Sequence, residues 1–126
     1  MTDAPERALK EAEEWLSSAK DKLAIAENEE EAANVCGALA IHAIVRANDA
    51  LALKFENAKP TRHDDASHML EKIVRSGKIG RENLRFVRLL EKAASDKSGA
   101  DYGKKAFHYG DAKKYVEHAE EFVLAA

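Results

Sequence analysis

Residues 35–53 read VCGALAIHAIVRANDALAL, and only Arg46 and Asp49 in this stretch carry a formal charge. Apolar residues recur on all sides of the helical wheel, which is the mark of a helix surrounded by others. Small residues (Gly37, Ala38, Ala40, Ala43, Ala47, Ala50) let those neighbours approach closely. The expectation is a long second helix, from about residue 30 to Glu56, sheathed on all sides by the rest of the chain. Asn57-Ala58-Lys59-Pro60 ends it, because the residue before a proline is pushed out of the helical region.

Upstream, a first helix is expected to start near Pro5, a residue suited to the first turn. Ala8, Ala12, Trp15, Ala19, Leu23 and Ala26 then make one apolar stripe at three- and four-residue steps. Asn28 is the expected cap of the second helix, with Glu29, Glu30 and Glu31 set favourably against its N-terminal dipole. Downstream, a third helix over 63–76 points Ala66, Met69, Leu70, Ile73 and Val74 inward and stops at Gly77. A fourth over 81–94 uses Leu84, Val87, Leu90 and Ala94. Residues 96–110 read as a long connection holding Gly99, Gly103 and Gly110, a length that is often functional. Asp111 then caps a final helix to Leu124. The fold class expected is all-α, an up-and-down bundle of about five helices around the long second one, in a single domain spanning 1–126.

The totals agree. With 34% charged residues and only six Gly and two Pro in 126 residues, the chain lacks the punctuation a sheet needs. Net charge is −3, so bulk attraction to nucleic acid is excluded. The charge is uneven, however: residues 1–31 hold ten acids against four bases. One cysteine, Cys36, excludes an intrachain disulfide and a thiolate metal site. The segment Met1–Glu6 lacks the apolar core of a signal peptide, and polar residues interrupt the apolar stretch, so the expected setting is cytoplasmic with no membrane span.

Four pieces in order carry a resemblance: residues 40–51 (AIHAIVRANDAL), residues 60–66 (PTRHDDA), residues 100–103 (ADYG), and Asp111-Ala112 leading to Ala119 and Phe122-Val123. Together, over about residues 8–124, they resemble the HEPN superfamily, small prokaryotic helical domains found beside minimal nucleotidyltransferases and in RNA-targeting systems. The resemblance implies a bundle that commonly dimerises. In many members it implies metal-independent RNA cleavage by an arginine and a histidine four to six residues apart. Histidine exchanges a proton with a ribose hydroxyl near neutral pH, and arginine offers a fork of donors to the phosphate. Arg62 and His68, five residues apart, are the one string with that spacing, which makes them the catalytic candidates. Their string opens the third helix, whereas the family motif usually lies nearer the last helices. The alternative reading is a helix start with solvated polar residues.

Three other groups stand out. His42, Arg46 and Asp49, at steps of four and three, form a polar seam on one side of the second helix. They either line a pocket or dimer interface, or pair internally, since a buried charge needs a partner. Asn48 reads as a core hydrogen bonder. Arg81, Arg85, Arg88 and Lys92 make a basic stripe, and residues 72–92 hold seven bases against two acids. This is the plausible phosphate- or RNA-binding surface, unless it is merely solvated or docks on the acidic first helix. Lys104 and His108, with Tyr102 and Tyr109 close by, extend the RNA-binding candidates because bases and aromatics suit nucleobase stacking. His118 reads as surface. The His63/Asp64/His68 group is a poor metal set, so no metal or cofactor is expected.

Three functional readings follow. The leading one is a HEPN-like protein, homodimeric, in an RNA- or nucleotide-associated, toxin–antitoxin-like system, with its ribonuclease-like motif displaced or degenerate. The second is a metal-independent endoribonuclease using Arg62 and His68. The third is a non-catalytic dimerisation or partner module for a nucleotidyltransferase-like protein.

Overall fold

The computed structural model describes the backbone of residues 4–60, 63–101 and 108–126, and the side chains of 4–29, 31–60, 65–93 and 108–126. It is an all-α bundle with no strand among these residues. Five helices follow one another: α1 (Ala4–Ala26), α2 (Glu30–Glu56), α3 (His63–Arg75), α4 (Arg85–Asp101) and α5 (Tyr109–Ala125), with a 3-10 turn at Arg81–Leu84 leading into α4.

α2 is the axis of the core. Its Cys36, Ala40, Ile41, Ala43, Ile44, Ala47 and Leu51 are buried against α1, α3, α4 and α5. By length and composition it could cross a membrane, but 61% of its most apolar window is buried inside the bundle, as in any core helix. Its partners contribute Leu70, Ile73 and Val74 from α3, Phe86 and Leu90 from α4, and Tyr115, Ala119 and Phe122 from α5. The rings of Phe86 and Phe122 meet at 4.7 Å, joining α4 to α5 by a tilted aromatic contact.

α2 is not sheathed on every side. Val35 is 45% exposed, and Leu39, His42, Val45, Arg46 and Asp49 are only half-buried. At three- and four-residue steps these form an open stripe along the helix. Four neighbours do not close around a helix of this length, so the residual apolar face stays accessible.

α1 departs from expectation at one position. Ala8, Ala12, Leu16, Ala19 and Ala26 are buried, but Trp15 is 38% exposed. The alanines bring α1 so close to α2 that the Cys36 thiol donates to the Ala19 carbonyl at 3.2 Å. An indole does not fit in that gap, and Leu16 takes the inward place. Trp15 lies instead at the edge, stacked on His42 with ring centroids 4.7 Å apart.

The helix ends show which local signals operate. At the α1–α2 junction the cap position is Glu29, not Asn28, and no side chain caps it. α2 ends on Asn57 in the left-handed region (φ 55°), which asparagine tolerates better than most residues. α3 ends as expected at Gly77 (φ 80°). Lys78 N–H donates to Ile73 C=O and Gly77 N–H to Val74 C=O, the paired bonds of a Schellman stop.

The fourth helix starts as a 3-10 turn and buries Phe86 and Ala93 alongside Leu90, while Leu84 and Val87 are only partly covered. The expected long connection is much shorter, because α4 runs through Gly99 to Asp101 and α5 begins at Tyr109. A glycine costs a helix only about 1 kcal/mol, which its helix-compatible neighbours offset. Asp111 is not the cap of α5. His108 holds that position, and Asp111, three residues on, accepts its backbone N–H at 3.3 Å.

Candidate functional site

The basic stripe is built by the entry to α4. Arg81 lies in the 3-10 turn, and Arg85, Arg88 and Lys92 follow on the exposed side of α4, opposite the buried Phe86, Leu90 and Ala93. Facing them is α5, drawn alongside by the Phe86–Phe122 contact. Between the two helices lies a concavity of about 260 Å³, lined by Arg85, Arg88, Lys92, His118 and Glu121, with Phe86 and Leu89 as apolar lining. His118, read from sequence as a surface residue, is exposed and is also part of this lining.

The cations here are arranged in different ways. Arg85 Nη1 lies 2.9 Å from Glu121 Oε2 in a solvent-exposed ion pair, and its guanidinium carbon sits 4.6 Å from the centre of the Phe86 ring. Lys92 Nζ lies over the Tyr115 ring at 5.2 Å. Arg88 pairs with no carboxylate among the described residues. Upstream bases are partly neutralised: Lys72 pairs with Glu56 and Arg75 with Glu71. The acidic first helix does not use up the stripe. Among the described residues its ion pairs run to α2, through Glu11 to Arg46, and to α5, through Lys20 to Glu120.

His108 does not join this group. It stands at the start of α5, ten residues before His118, hence about 15 Å away along the helix. It borders a separate depression with Asn28, Glu29 and Tyr109 at the α1–α2 turn. Lys104 lies outside the described residues, as does Arg62. His68 is exposed on α3. The Arg62/His68 pairing therefore falls outside what the structure describes, as do Tyr102 and the His63 and Asp64 side chains.

The polar seam of α2 takes the internally paired form. Arg46 donates through Nε to Glu11 at 2.6 Å and through Nη1 to Asp49 at 3.0 Å. Burial works against the charge on Arg46, but the hydrogen bonds to Glu11 and Asp49 outweigh it and raise its pKa. At Asp49 burial dominates and raises the carboxyl above its usual range despite the Arg46 contact. The sequence foresaw Asp49 as a partner but missed Glu11, which lies 35 residues away on another helix. The seam is half-buried at the edge of the open stripe, not deep in the core. Asn48 is buried as expected, donating to the Ala66 carbonyl at a long 3.4 Å; its Oδ1 has no partner among the described residues.

Two surfaces thus stand out: the cationic concavity of α4 and α5, and the open face of α1 and α2 carrying Trp15 and Val35. No group of three or more histidine, cysteine or acidic residues able to hold a metal occurs among the described residues. Comparison of the chain with protein-family models, with curated proteins and with solved structures finds no match in any of the three.

Proposed function

We propose that this chain is a HEPN-like helical module, homodimeric, that binds the phosphate backbone of RNA along α4. The observation that carries the reading is the concavity in which Arg85, Arg88 and Lys92 gather on one face of α4 opposite His118 and Glu121 of α5, in a protein whose net charge is −3. Such a surface binds by releasing counterions from phosphates, so affinity falls steeply with salt. Leu89, partly exposed at the same concavity, adds an apolar contact beside the cations. The test is anisotropy of a labelled single-stranded RNA at modest salt against the wild-type protein and the variant with Arg81, Arg85 and Arg88 changed to Ala. Each lost phosphate contact reduces the log–log salt slope by about 0.7. Absence of binding by either protein removes the reading.

A second reading is favoured by a different observation. The open α1–α2 face groups Trp15 and His42 beside Val35 and Leu39, with its charges already paired through Arg46. Apolar surface with neutralised charge suits a protein partner. In this reading the chain is a dimerisation or docking module for a nucleotidyltransferase-like protein. Light scattering of the wild type and of Val35→Asp separates the cases: loss of a dimer, or of a copurified partner, only in the variant supports it, and a monomer throughout with no partner removes it.

A further inference from the structure

We propose that the α4–α5 concavity is a phosphate subsite whose place is held, in the free protein, by the carboxylate of Glu121. This inference rests on the RNA-backbone reading above and adds to it a residue that limits affinity. Among the described residues lining the concavity Glu121 is the only carboxylate, and it sits on Arg85, at 2.9 Å. A carboxylate presents a planar pair of anionic oxygens to a guanidinium, and a phosphate edge presents the same pair. The Arg85 guanidinium carbon sits 4.6 Å from the centre of the Phe86 ring, and both residues belong to the lining of the concavity. Arg88, Lys92 and His118 border the same space, so a phosphate that displaces Glu121 has further polar groups within the same lining.

The exchange is easy because the ion pair is exposed, with side-chain exposures of 61% for Arg85 and 46% for Glu121. Exposed pairs are weakly held and yield to a competing anion. Glu121 therefore acts as an internal competitor: it keeps Arg85 from binding stray anions tightly and yields to a polyanion that engages several cations at once.

The experiment is a double-mutant cycle read by anisotropy of a short 5′-labelled oligouridylate, with helicity checked by circular dichroism. Glu121→Gln keeps the shape and removes the charge. It is expected to tighten binding roughly 3- to 10-fold at low salt and to steepen the salt slope by about 0.7. In the Arg85→Ala background the same change is expected to do little; if that background binds too weakly to measure, the pair is compared at lower salt. Binding only by Glu121→Gln, and not by the wild type, also supports the proposal. Equal tightening in the Arg85 background overturns it, because the effect is then general charge and not a held place. Unchanged or weaker binding by Glu121→Gln, with Arg88→Ala still weakening binding, overturns the competitor and leaves the RNA reading standing. No binding by the wild type or Glu121→Gln removes both.

Discussion

Arg46 is clamped between helices: its Nε meets Glu11 of α1 at 2.6 Å, and its Nη1 meets Asp49 one turn along α2 at 3.0 Å. The clamp ties the first two helices together beside an open apolar stripe. Replacing Arg46 by Ala leaves the half-buried Asp49 without its partner. The expected loss is about 1–3 kcal/mol, seen as a lower urea midpoint with an unchanged m-value.

The same site gives a pH signature. Burial raises Asp49 above its ordinary value of 3.8 in the folded state, so the folded chain binds its proton more readily than the unfolded chain. The contribution of Asp49 is therefore fully present below 3.8 and is lost as pH rises through the elevated folded value. Asp49→Asn, which cannot titrate, is expected to match the wild type in acid and to equal or exceed its stability at neutral pH. Urea midpoints measured across that range check the sign. A variant that gains on the wild type as pH falls contradicts it.

Ala19 is fully buried where the Cys36 thiol approaches its carbonyl at 3.2 Å. Ala19→Leu forces extra methylenes into this buried α1–α2 contact. A loss of about 1–3 kcal/mol is expected from overpacking, whereas Ser18→Leu on the exposed side is expected to fall within about 0.5 kcal/mol of the wild type. Thermal unfolding of the pair separates packing from helix propensity.

Cys36 is fully buried, and burial pushes its thiol up to about 11. A disulfide reagent at mildly alkaline pH is expected to label it only as fast as the protein opens, since the reactive thiolate is both rare and covered. Prompt labelling of the native protein shows instead that α1 lifts from α2 readily.

Trp15 is the only tryptophan, and it lies part-exposed on His42. Its emission therefore reports on the α1–α2 face alone. The wild-type protein is expected to be quenched by acrylamide when dilute, and to become protected if a second copy or a partner covers that face. Quenching that never changes with concentration or partner argues against docking there.

Much of the bundle was legible in the residues themselves. The apolar run of α2 and the glycine stop of α3 are local patterns, because helix period and terminus chemistry depend on near neighbours in the chain. The site was legible by halves. The step from Arg85 to Arg88 to Lys92 lies on one helix and could be counted, while His118 and Glu121 join it from α5 only because Phe86 and Phe122 pack together. The extent of α4 was missed because Gly99 suggested a loop, and a single glycine does not end a helix whose neighbours favour it.

The sequence by itself determined that this protein is helical and where most of its helices lie, since those follow from side-chain spacing along a regular backbone. The tertiary structure decided which polar groups meet. Arg46 takes Glu11 from 35 residues away, and Trp15 is displaced to an edge because a close contact built of alanines leaves no room for an indole. Contacts between helices depend on distances of approach that side-chain volumes set jointly, and no single segment contains that information.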